Sequence, residues 1–253
     1  GTSLVWNPID IFNPASPLEF GTEEKPGTDA FRAQYYLGPV SKLELAVEPH
    51  RETDDAAVAG LLQVNRWDYD FILMGGMLGE DQYGAGAAWA GDIQGAGFRG
   101  EILWSRSQRE PLPLPIPLPG TKEYREGVLA SVDADYTFEN STYLHASVLY
   151  NSEGTTESAG GLRLAQAYLD RELSPARLSL FGEVAKNLHP LLRGDFSGIL
   201  NPYDGSWYLG PMLDWSVVTN YDVMLAGMIF GGADGTEFGD SGLIVYAGMK
   251  WSY

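Results

Sequence analysis

His145-Ala146-Ser147 sets an imidazole and a hydroxyl two residues apart. On an extended strand such residues share a face. A His that takes a proton from a Ser, with a third group orienting the ring, is the arrangement of nucleophilic catalysis. Nothing further of such a signature surrounds the pair, so it reads as two polar wall residues near a short turn. Asp133 and Asp135 share a face in the same way, as do Glu44 and Glu48. Paired carboxylates serve acid–base chemistry or make an acidic wall. Most charged residues assigned to the same face are acidic, which favours the wall. Asp234-Gly235-Thr236-Glu237-Phe238-Gly239-Asp240 offers oxygens to Ca²⁺. It lacks the ordered spacing of a calcium loop and reads as a solvated one. With no cysteine in the chain, thiolate catalysis, disulfides and cysteine metal sites are excluded. The expectation is a protein without catalytic, cofactor or metal residues, and not an enzyme.

The elements that carry these residues are strands. Period-two alternation is cleanest where Val128, Ala130, Val132, Ala134, Tyr136 and Phe138 oppose Ser131, Asp133, Asp135 and Thr137. It recurs over 30–38, 42–48, 58–65, 98–105, 143–151 and 207–216, and again from Leu243 to Tyr253. Phe71 to Leu78 and Val223 to Phe230 are apolar on both faces, and Leu162 to Leu173 has mixed parity; all three are taken as strands. Short turns are expected at 38–41, 67–70, 92–95, 139–142, 174–177 and 219–222. Mostly longer links lie between them, at 7–28, 51–56, 108–124, 152–161, 189–205 and 231–241, with a short one at Asp81-Gln82. The count is about fourteen strands, including a stub at Thr2 to Trp6, with more if N-terminal strands are missing.

Short turns at one end and longer loops at the other point to an all-β fold. It is read as one domain over 1–253, a transmembrane antiparallel up-and-down β-barrel. No run approaches the ~18 apolar residues of a membrane helix. No basic-then-apolar signal segment opens the chain, so an exported chain would be a processed form. The 34 acidic against 16 basic residues argue against nucleic-acid partners. With the short turns at the periplasmic side, Trp67, Trp89, Trp215, Trp251 and Tyr253 form one aromatic belt. Trp6, Trp104 and Trp207 form the other. The inner, pore-lining face then carries Arg32, Lys42, Glu44, Arg99, Glu101, Asp133, Asp135, Glu183 and Asp214.

Tyr246-x-Gly248-x-x-Trp251-x-Tyr253 resembles the C-terminal insertion signal of bacterial outer-membrane barrels, with Tyr where Phe is usual. The resemblance implies the barrel-assembly machinery as a partner, the outer membrane as location, and its lipid and lipopolysaccharide as surroundings. Asn7-Pro8-Ile9-Asp10-Ile11-Phe12-Asn13-Pro14 resembles a loop of porin-like proteins related to the alginate-export group. The Gly-Arg-Gln…Trp-Gly strand that precedes that loop there is missing here. Pro111 to Pro119 alternates Pro with aliphatic residues, a stiff polyproline II segment suited to docking a protein partner. The functional expectation is a porin-like channel for small polar solutes or ions, leaning toward cations. The alternative is a structural barrel that scaffolds a surface, secretion or electron-transfer assembly.

Overall fold

In the computed structural model the described residues are 2–9, 30–49, 56–79, 81–108 and 124–252. The Pro-rich segment 111–119, Tyr253, residues 10–14 of the porin-like loop and most of the 7–28 and 51–56 links lie outside them.

Thirteen strands form one sheet in sequence order: β1 Phe31–Tyr36, β2 Lys42–Glu48, β3 Ala57–Arg66, β4 Tyr69–Leu78, β5 Gln82–Ile93, β6 Ala96–Gln108, β7 Tyr124–Thr137, β8 Thr142–Asn151, β9 Leu178–His189, β10 Leu192–Leu200, β11 Trp207–Val218, β12 Tyr221–Gly231 and β13 Leu243–Trp251. Every neighbouring pair is antiparallel. Among the described residues β1 and β13 are edges, and the sheet is not closed. Because directions alternate along thirteen strands, these two edges run the same way.

Connections from odd to even strands are short, down to Trp67-Asp68 and Gln94-Gly95. Both residues of each of these two turns have positive φ, as in the two-residue hairpin turns that match strand twist. Connections from even to odd strands are mostly longer, apart from 79–81 between β4 and β5.

The strand assignment is corrected in three places. Leu162 to Leu173 does not form a strand; helix α1 runs Gly161–Leu169. Leu-Arg-Leu-Ala-Gln-Ala-Tyr-Leu holds no β-branched residue and several strong helix formers. The link assigned to 189–205 contains β10, whose Arg193, Asp195 and Ser197 alternate with Gly194, Phe196 and Gly198. The stub at Thr2 to Trp6 is irregular backbone that pairs with no strand. No helix among the described residues is long and apolar enough to cross a membrane.

The register gives the sheet two unlike faces. Residues 2–9 lie against the inner one. Trp6, 1% exposed, packs with Leu149, Ile199, Tyr208 and Phe238, and its ring meets Phe181 edge-on at 6.2 Å. Trp6 therefore leaves the aromatic belt assigned to it. Burying its large apolar surface inside the sheet outweighs an interfacial position. Ile9 makes a second cluster with Ala88 and Leu103.

The outer face is apolar from edge to edge, with Leu73, Ile102, Val132, Leu144, Val148, Phe196, Leu213, Leu225 and Val245 all exposed. Among the described strands its charged residues are Arg66, Arg106, Glu126 and Lys186, all toward strand ends. Trp89 and Trp215 flank the short turns on this face, and Trp104 and Trp207 lie toward the longer connections. The Trp89 ring lies over Gly100 and the Trp207 ring over Gly231. A Cβ at either glycine would run into the indole.

Candidate functional site on the inner face

Strand parity brings all nine predicted inner-face residues to the face that carries residues 2–9. Their environments differ sharply. Glu101 on β6 and Asp133 on β7 are sealed at 1% and 0% exposure. Glu101 accepts hydrogen bonds from the Ser3 amide at 3.0 Å, the Ile9 amide at 3.1 Å, the Thr2 hydroxyl at 3.1 Å and the Thr2 amide. One carboxylate thus anchors both ends of the N-terminal segment. Charge-assisted bonds of this kind are roughly twice as strong as neutral ones. Ser131 adds a hydroxyl bond of 3.3 Å to the Trp6 carbonyl.

Asp133 begins a chain of polar groups across the sheet. It accepts the Ser3 hydroxyl at 2.6 Å, and its other oxygen lies 3.1 Å from His145 Nε2. His145 Nδ1 is 3.5 Å from Glu183. Glu183 and Asp195 are diagonal neighbours on β9 and β10, and Arg193 approaches Asp195 at 3.8 Å. His145 therefore spends both ring nitrogens on carboxylates. Ser147, buried on the same face, has no hydrogen-bond partner for its hydroxyl. Among the described residues the imidazole and hydroxyl singled out by spacing are not hydrogen-bonded to each other.

On the other predicted positions, Arg99 pairs with Asp135, and Glu44 takes Arg32 at 2.6 Å and Lys42 at 3.1 Å. Asp214 lies across from Arg193. In β13, Tyr246 and Gly248 lie on the inner face, and Trp251 lies on the outer face stacked on Tyr221 at 6.0 Å. Asp195 and Arg193 were missed because β10 was read as a loop. Their alternation with Phe196 and the glycines was the available signal.

Above the sheet, the longer connections interlock. Asp204 accepts the amides of Glu237 at 2.9 Å and Ala159 at 3.2 Å and the Ser206 hydroxyl at 2.6 Å. Burial works to raise the Asp204 carboxyl. The bonds from Ser206, Glu237 and Ala159 outweigh it and hold the group below its usual range. Glu237 meets the Asn201 amide at 2.9 Å and the Ser174 hydroxyl at 3.5 Å. Burial, reinforced by the nearby Asp204 charge, pushes Glu237 up to about 7. The segment 234–240 is therefore not the solvated loop expected of it, since Thr236, Glu237 and Phe238 are buried. Arg125 and Arg163 converge on Glu172 at 2.6 and 2.5 Å and tie α1 to β7.

The described residues hold no group of three or more His, Asp or Glu placed to bind a metal ion. The arrangement is a polar face partly covered by its own N-terminal segment, with several ion pairs and an excess of carboxylates. Comparison with protein-family models, curated proteins and solved structures finds no match for this chain.

Proposed function

We propose that the chain forms the wall of a bacterial outer-membrane β-barrel that passes small polar solutes or ions and favours cations. The observation that carries this reading is the segregation of charge. The outer face keeps its few charges toward strand ends, while the inner face holds carboxylate-rich networks. A water-facing sheet has no reason to keep its middle free of charge on one side. Lipid imposes that pattern, and aromatic rings at the ends suit headgroups. Direct closure of thirteen strands joins β1 to β13 as a parallel seam. Closure by antiparallel pairing needs an odd number of further strands. The Tyr246, Gly248, Trp251 and Tyr253 pattern serves delivery by the barrel-assembly machinery, and the Pro-rich 111–119 segment serves a protein partner.

Residues 2–9 narrow the passage in this reading. Conductance in a planar bilayer tests it. The full chain should give stable ohmic current, with a reversal potential in a salt gradient set by cation flow. Raising the salt should weaken the preference, since the Debye length falls from ~10 Å at 0.1 M to ~3 Å at 1 M. Anion preference would sink the acidic-lumen assignment.

The docked N-terminal segment and the interlocked 201–206 and 232–242 connections also favour a second reading, a closed structural barrel that scaffolds an assembly. Current at the lipid background level from correctly folded protein selects it.

A further inference from the structure

A cavity of about 320 Å³ lies between residues 4–5 and the inner face of β9 to β12. That volume is at the small end of ligand clefts, which run from ~300 to ~1,000 Å³. Most of its wall is apolar, from Leu4, Val5, Phe181 and Met212. Glu183 and Asp195 supply its charge.

The register sets Glu183 and Asp195 diagonally across β9 and β10 on the same face, side by side in the cavity wall. Two neighbouring carboxyls in a partly buried wall draw a proton or a cation between them. The surroundings are short of positive charge. Asp133, Glu183 and Asp195 share one imidazole, His145, and one guanidinium, Arg193. Arg193 is half-exposed and also faces Asp214 across the strand pair. A metal ion would want more oxygens than this pair offers, and a strongly hydrated one gains nothing from the apolar wall. A monocation with a hydrocarbon body satisfies both parts of the cavity.

We infer that this cavity binds a primary alkylammonium, its charged head between Glu183 and Asp195 and its alkyl chain against Leu4, Val5 and Met212. The inference rests on the channel reading, since the ligand reaches the cavity through the lumen. It names the class of cation that the channel handles.

The probe is butylammonium, with butanol as the neutral control, titrated calorimetrically into the full-length folded protein in detergent. Butylammonium should bind and butanol should not. Glu183→Gln with Asp195→Asn should weaken binding at least tenfold. Ala226→Leu, which fills the cavity and leaves both carboxyls, should do the same. Glu139→Gln, in the exposed turn between β7 and β8, should bind as the parent does. Equal binding of butylammonium and butanol would overturn the inference. So would unchanged affinity in the double variant, or displacement of butylammonium by equimolar sodium. Cation-selective current without butylammonium binding overturns the cavity site alone and leaves the channel standing. Carboxylate-dependent binding without current upholds the site and overturns the channel.

Discussion

The inner faces of β1–β2 and of β6–β9 use the same residue types to different ends. On β2, Glu44 holds Arg32, Lys42 and Gln34 in a network open to water, and the Arg32 side chain is 55% exposed. On β6 and β7, Glu101 and Asp133 lie sealed under residues 2–9 and hold backbone amides and hydroxyls of that segment. Strand parity puts all of these carboxylates on one face. What covers the face decides whether a carboxylate is a screened ion pair or an anchor. A surface pair contributes little, whereas a buried charge that loses its partners costs several kcal/mol.

The largest effect should come from removing the cover. Trp6→Ala deletes the central ring of the inner cluster, a change that costs about 3–5 kcal/mol in a packed core. It should loosen residues 2–9 and expose the face below. Labelling by a small polar thiol reagent reads this directly. In an otherwise unchanged chain, Gln34→Cys should react quickly and Ser131→Cys slowly. Adding Trp6→Ala should bring Ser131→Cys up to the Gln34→Cys rate. If both sites label alike without the Trp6 change, the two regions do not differ and the docked segment is wrong.

Much of this comparison was legible in the sequence. Val128 to Phe138 and Leu243 to Trp251 declared both faces, because period two cannot hide where every second residue is apolar. The nine charged inner positions followed from that parity. Docking of residues 2–9 did not, because Leu4 and Trp6 alternate with Ser3 and Val5 much as a strand would. The partners of the segment are Glu101 and Asp133, 98 and 130 residues distant from Ser3. Alternation carries no signal of such distant contacts. In β10 the apolar face is diluted by Gly194 and Gly198 after Pro190, so the strand read as a loop. Glu237 was misplaced for a related reason. Its burial depends on Asn201 and Ser174 from two other connections, and local polarity says nothing about them.

The next effect separates inner from outer face. Val132 points outward beside the sealed Asp133. Val132→Arg should cost about 2–4 kcal/mol if that face meets the bilayer near its midplane. Folding in lipid vesicles, followed by heat-modifiable migration on gels, measures it. An exposed Arg on a water-facing sheet would cost almost nothing, so an unchanged folding midpoint counts against the membrane reading and leaves the sheet intact.

A smaller effect belongs to the connections above β8–β12. Glu237 sits at about 7 in the folded protein and at 4.5 as an ordinary glutamate, so the folded state holds the proton more tightly. The sign follows from linkage. The stabilisation is complete below about pH 4.5 and is lost as pH rises through about 7, a total of about 3 kcal/mol. Hydrogen exchange at the Gly160 amide, which bonds the Gly235 carbonyl, should therefore speed up between pH 5 and 8 beyond its intrinsic dependence. Glu237→Gln should flatten that extra slope. A slope that survives the substitution assigns the pH response to another group.

The smallest effect returns to the open network. Glu44→Gln removes the charge that Arg32 and Lys42 share, yet water screens this part of the face and the amide still hydrogen-bonds. The melting temperature should move by less than about 4 °C, the order expected of a surface pair in a chain of this size. Glu101→Gln is the same chemical change made under the N-terminal segment, where four donors converge on one carboxylate. There the amide must turn its NH₂ toward a donor, so one bond becomes a clash of hydrogens. Its melting temperature should fall several times further than that of Glu44→Gln, and Ser131→Cys should label faster in the same protein. Equal shifts from the two substitutions would mean that the cover adds nothing to what strand parity already sets.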